Sequence, residues 1–111
     1  MENYRVRIAD SILDEYLDAL GAVLIEGPKA CGKTTTAEQH AKSILYMDDP
    51  AHKEQFLQMA DSNISNLLEG ETPHMIDEWQ LAPKLWDAIR FTVDHRQEDG
   101  QFILTGSAVP F

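Results

Sequence analysis

Short runs of β-branched and apolar residues alternate along this chain with longer stretches whose apolar side chains recur at helical spacing. The first such stretch covers residues 8 to 20. Ile8, Ile12, Leu13, Tyr16, Leu17 and Leu20 share one face, and Asp10, Asp14, Glu15 and Asp18 fall between them. That spacing predicts an amphipathic helix, capped at its start by Asp10 or Ser11 and closed by Gly21. Packing on the core is its commoner use; binding a partner is the alternative. Ala22-Val23-Leu24-Ile25-Glu26 reads as a buried strand, and a helix is expected from about Thr35 to Lys42. Ser43-Ile44-Leu45-Tyr46-Met47 is a second strand, stopped by Asp48-Asp49-Pro50, where turn chemistry outweighs a metal role for the two acids. Residues 51 to 69 place Phe56, Leu57, Ala60, Ile64, Leu67 and Leu68 at helical spacing, with Gly70 as the stop. His74-Met75-Ile76-Asp77-Glu78-Trp79-Gln80 is a third strand running into two acids. Residues 82 to 96 set Leu85, Trp86, Ile89 and Val93 on one helical face, and 101 to 107 form a last strand. Strands alternating with helices predict an α/β fold: a parallel sheet wrapped on both faces. Alternation alone does not fix the order of the strands.

Between the first strand and the next helix lies Gly27-Pro28-Lys29-Ala30-Cys31-Gly32-Lys33-Thr34. It fits G-x-x-x-x-G-K-[ST], and strand, glycine loop and helix start are the context that pattern requires. Gly27 and Gly32 allow a tight turn that presents backbone N–H groups inward. Those donors and the positive end of the following helix suit phosphate oxygens. Lys33 can reach the β- and γ-phosphates, and the Thr34 hydroxyl can bind Mg²⁺. Residues 27 to 35, ending in Thr35, are the expected nucleotide cradle.

Composition narrows the partners. The chain has 111 residues and a formal net charge of −10, so general nucleic-acid binding is disfavoured and nucleotide binding has to be local. Its one cysteine, Cys31, rules out an intrachain disulfide, and no Cys/His zinc spacing is present. A thiol beside a helix start has a lowered pKa, so oxidation of Cys31 is expected to block the loop rather than to serve catalysis. No apolar run approaches a membrane span, and Met1 to Arg7 lack a signal-peptide core, so a cytoplasmic setting is expected. A complete nucleotide-hydrolysing α/β domain is typically nearer ~150 residues, which predicts truncation.

Three strands end in polar groups, and a parallel sheet puts all three on one edge, where ligands bind. The first ends in the phosphate loop. The third ends in Asp77 and Glu78: a carboxylate at Asp77 can hold Mg²⁺ opposite Thr34, and Glu78 can polarise the water that attacks the γ-phosphate. The fourth ends in Thr105-Gly106-Ser107, where Thr105 or Ser107 can sense the γ-phosphate. Trp79 and Trp86 are read as core rather than base-stacking residues. His40, His52, His74 and His95 show no metal spacing and are read as surface or satisfied core. Arg90 and Arg96 are read as surface or helix-pairing groups, with an arginine acting across a subunit boundary as the rarer use.

Gly27 to Thr36, Ile76-Asp77-Glu78-Trp79-Gln80 and Phe102-Ile103-Leu104-Thr105-Gly106-Ser107 together resemble the N-terminal nucleotide-binding part of a group of prokaryotic predicted ATPases of the AAA superfamily. The likeness runs from about Tyr4 to Ser107. It implies a three-layer α/β/α P-loop NTPase core with a parallel sheet, cut after the fourth core strand. Residues 1–21 would be an N-terminal helix and 22–111 the nucleotide-binding core. The resemblance assigns catalysis to Glu78 and Lys33, metal binding to Thr34 and Asp77, and γ-phosphate sensing to Thr105 or Ser107. Members usually continue into a fifth strand, a helical lid and a C-terminal domain, where a sensor arginine and an arginine finger are kept. His74 departs from the pattern, since an aliphatic residue is more usual there. The expected cofactors are ATP and Mg²⁺. The expected partners are the parent protein's further domain or another protein, with a homo-oligomer as an option. Two rival readings remain at this stage: a nucleotide-gated interaction module without hydrolysis, and a small-molecule phosphate-loop kinase, which the adjacent Asp77-Glu78 pair argues against.

Overall fold

The computed structural model describes residues 21–27 and 33–107. The predicted helix over 8 to 20 and loop residues 28 to 32 lie outside them. Four strands form one sheet: β1 (Ala22–Gly27), β2 (Ser43–Tyr46), β3 (His74–Asp77) and β4 (Phe102–Ser107). Their spatial order is β1-β4-β3-β2 and every pairing is parallel. The helices are α1 (Lys33–His40), α2 (Lys53–Ser62) and α3 (Lys84–Arg96), with 3₁₀ turns at Ile64–Leu68 and Trp79–Leu81.

Side chains alternate between the two faces of each strand, and this divides the core in two. Leu24, Ile76, Phe102 and Leu104 face α2, α3 and the 3₁₀ turns, joined by Leu67, Leu68, Leu85 and Ile89. Val23, Met75 and Ile103 face the other way and pack on Ala37 of α1. Helices on both faces make three layers. β3 is buried along its whole length, as a central parallel strand must be.

The bounds of several elements depart from the sequence reading. The helix expected over 51 to 69 breaks at Asn63, which takes φ −155° and ψ 65°. Ser62 Oγ donates back to Gln58 O, and Asn63 Oδ1 accepts from Ser65 Oγ. Such local side-chain bonds compete with the helical ladder, and the chain resumes as the 3₁₀ turn over Ile64–Leu68. The strand expected to run to Gln80 ends at Asp77, because Glu78 is left-handed at φ 56°, ψ 49°. α3 begins at Lys84 rather than residue 82, with Pro83 at its N-cap.

Gly21 was expected to close a helix; its surroundings give it another reason. A Cβ there would lie 2.1 Å from Val93 Cγ1 of α3, so only glycine fits. Its carbonyl accepts from Gln101 and Phe102 N–H groups, which ties the start of β1 to that of β4. His74 is a core residue, as expected, with a contact at each ring nitrogen. Its Nε2 contacts Leu67 O at 2.9 Å and its Nδ1 contacts Ser43 Oγ at 2.6 Å, while Ser43 Oγ also reaches Glu71 O.

Candidate functional site

The register of the sheet assembles the site at the carboxyl ends of the strands. Gly27, the last residue of β1 and the first of the loop pattern, is level with Ser107. One step back, Glu26 is level with Gly106. One step further, Ile25, Thr105, Asp77 and Tyr46 form a row across all four strands. The segment after β1 returns as α1, beginning at Lys33, so the backbone of Lys33, Thr34 and Thr35 forms a helix start above that edge. Pro28, Lys29, Ala30, Cys31 and Gly32 lie outside the described residues.

Asp77 and Thr105 are bound to each other. Thr105 is fully buried and its Oγ1 donates to Asp77 Oδ1 at 2.6 Å, and Asp77 is 7% exposed. A buried carboxylate has to be hydrogen-bonded, and Thr105 fixes the angle at which this one is held. The hydroxyl expected to sense a phosphate thus points along the sheet to Asp77. A carboxylate at a strand end is an oxygen donor of the kind that suits Mg²⁺, which takes few protein ligands and keeps water. Among the described residues no group of three or more His, Cys, Asp or Glu is gathered to hold a metal.

Glu78 is 7% exposed and sits in the left-handed turn that ends β3. A non-glycine residue there is uncommon and carries strain, a feature that clusters at functional sites. The turn folds the next residues back, and Gln80 Nε2 donates to Glu78 Oε2. Trp79 packs against the core and its ring lies 5.4 Å from that of Trp86, which is itself 39% exposed and less of a core residue than expected.

At the β2 end of the row, the Tyr46 hydroxyl donates to Glu38 of α1. That bond is the main reason the Tyr46 phenol is pushed up to about 12, with burial and the nearby Glu38 and Asp77 charges adding to it. Burial holds the His74 imidazole below its ordinary value. Asp48 and Asp49 form a turn, as expected. Asp49 accepts from Ala51 N–H and from the His52 ring, and chiefly for the second reason its carboxyl is held below the usual range. Arg96 donates to Gln101 Oε1 and stands over the Phe102 ring, while Arg90 is exposed. The sequence reading missed the Gln80–Glu78 and Tyr46–Glu38 bonds. A side-chain amide two residues past the acid was the one available signal for the first.

A four-stranded parallel sheet of this order, with helix α1 following β1 and a buried acid closing β3, is consistent with a truncated P-loop NTPase core. The AAA domain family matches residues 20–111, and the chain belongs to that family. It is an AAA-type P-loop ATPase domain, and membership suggests nucleotide binding. Comparison with curated proteins gave no match. No helix among the described residues is long and apolar enough to cross a membrane.

Proposed function

We propose that this chain binds Mg·ATP at the carboxyl edge of its sheet and hydrolyses it, as the motor or switch core of a larger ATPase. The observation that carries the reading is the buried Thr105–Asp77 bond. It places an oriented carboxylate two strands from Gly27, level with the strand that feeds the phosphate loop. In this reading the backbone of residues 27 to 35 cradles the phosphates, and Lys33 pairs with the β- and γ-phosphates. Thr34 and Asp77 hold Mg²⁺, which when bound offsets charge on the phosphate oxygens. Glu78 takes the proton of the water whose oxygen attacks the γ-phosphorus, and the bond to the ADP oxygen breaks. Thr105 orients Asp77, and Thr105 or Ser107 senses the γ-phosphate. A further domain of the parent protein, another protein or a second copy receives the conformational change, in the cytoplasm.

Calorimetry with Mg·ATP on the parent chain and Lys33→Ala, with phosphate release followed on the same samples, tests this. Binding is expected in the parent and not in the variant; equal affinity in both refutes it. Glu78→Gln should bind and not turn over. Binding that depends on Lys33 but yields no phosphate from this chain would identify the nucleotide-gated module instead.

A further inference from the structure

Gln80 belongs to none of the roles assigned so far, yet its amide is held at its nitrogen end and buried at its oxygen end. A carboxylate only accepts hydrogen bonds, so the contact to Glu78 Oε2 sets Nε2 towards Glu78 and Oε1 away from it. Among the described residues, Oε1 is buried without a hydrogen-bond partner, and so is Trp79 Nε1. Both abut one residue of β4. A Cβ on Gly106 would lie 2.8 Å from Gln80 Oε1 and 3.1 Å from Trp79 Nε1. Gly106 stands between Thr105, which holds Asp77, and Ser107, which is level with Gly27. The Gln80 amide therefore fills the space between the Glu78 carboxylate and the end of β4.

We infer that Gln80 is a positioning residue: its amide aims the Glu78 carboxylate, and the backbone of β4 at Gly106 sets the amide. The inference rests on the reading of Glu78 as the base that takes the water's proton. The local fold explains how the contact arises. The left-handed Glu78 starts a 3₁₀ turn that brings Gln80 back over the residue two positions earlier. Movement of β4 when its Thr105-Gly106-Ser107 end meets a nucleotide would pass through Oε1 to the carboxylate. Buried polar groups left unpaired are expensive, so the pair of open atoms at Gly106 marks an arrangement that a small shift of β4 can change.

The test uses the whole chain with three variants. Gln80→Met keeps the side chain's bulk and removes the amide. Gly106→Ala crowds Oε1 and leaves the Glu78 and Gln80 side chains in place. Glu78→Gln reports on the base itself. Calorimetry with Mg·ATP, phosphate release and the NMR signals of the side-chain amides are measured on each, the Gln80 pair being assigned by its loss in Gln80→Met. Misplacing a reacting group by about 1 Å can cost on the order of 100-fold in rate. Gln80→Met is expected to lower kcat by roughly 10–100-fold at unchanged Kd, and Gly106→Ala by about 10-fold. The Gln80 amide signals should move in Glu78→Gln and in Gly106→Ala. Parent kcat in Gln80→Met, with Glu78→Gln inactive, overturns the inference and leaves the base in its role. Parent turnover in Glu78→Gln removes the base reading itself. If the parent binds Mg·ATP without turnover, the amide signals decide. A Gln80 shift on binding that is lost in Gly106→Ala supports the coupling, and a stationary signal overturns it.

Discussion

Thr105→Val removes one hydroxyl and keeps the shape of the side chain. Thr105 has no exposed surface, and its Oγ1 lies 2.6 Å from Oδ1 of an aspartate that is 7% exposed. A hydrogen bond to a charged group contributes about 1.5–3 kcal/mol net, and little water can reach this one to replace the lost donor. The variant is therefore expected to lose about 1.5–3 kcal/mol of unfolding free energy. Each kcal/mol shifts melting by roughly 4–8 °C in domains of about this size, so melting should fall on the order of 10 °C. Thr105→Ser keeps the donor and loses a methyl group, for about 1 kcal/mol. Urea unfolding followed by the emission of Trp79 and Trp86 measures these differences, and a cycle with Asp77→Ala isolates the pair. Coupling of about 1 kcal/mol or more is expected. If the two substitutions simply add, or if serine costs as much as valine, the hydroxyl does not hold Asp77.

Other perturbations reach other parts of the fold. Ala37 is fully buried between α1 and the sheet, so Ala37→Leu should overpack that layer and cost about 1–3 kcal/mol in urea unfolding; a variant as stable as the parent would mean that α1 can lift freely. Burial keeps His74 below its ordinary pKa of 6.5, so as pH falls the unfolded chain takes up that proton first. The stability this lends is complete above about pH 6.5 and declines below it, towards the folded value. Urea midpoints at stepped pH should fall more steeply in the parent than in His74→Leu, and parallel curves would refute the assignment. Ultraviolet titration should find one phenol ionising at about 12 in the parent and nearer 10.0 in Glu38→Ala; an unchanged titration would show that Tyr46 and Glu38 do not pair.

The sequence made plain those features that depend on neighbours in the chain. The apolar runs mark all four strands, and the polar groups that end three of them lie along one edge of the parallel sheet. Period-two alternation divides the strands between two cores. The order β1-β4-β3-β2 was beyond it, because β1 pairs with a strand that begins at Phe102 and nothing local records that choice. The break at Asn63 was hidden because Ala60, Ile64, Leu67 and Leu68 keep helical spacing across it, while the competing bonds lie in Ser62, Asn63 and Ser65. Glu78 carries no sign of a left-handed backbone, which is usually read from glycine or asparagine. Strand propensity therefore extended β3 too far, and the return of Gln80 onto Glu78 went unseen. Thr105 was singled out from the sequence as a candidate; its tie to Asp77 depends on register, which only the paired strands reveal.

The contacts around His74 set a problem in counting protons. Leu67 O and Glu71 O are carbonyls and supply no hydrogen, so Nε2 and Ser43 Oγ each have to donate one to them. The contact between Nδ1 and Ser43 Oγ needs a third. A neutral imidazole and a hydroxyl bring only two between them. Above the pKa of His74 the serine hydrogen is shared between the ring and Glu71 O, and one contact is always short. Protonation fills all three at once, at the cost of a charge in the core. The amino-terminal ends of β2 and β3, on the side of the sheet away from the phosphate loop, thus meet at a joint that is best bonded in the state that burial disfavours.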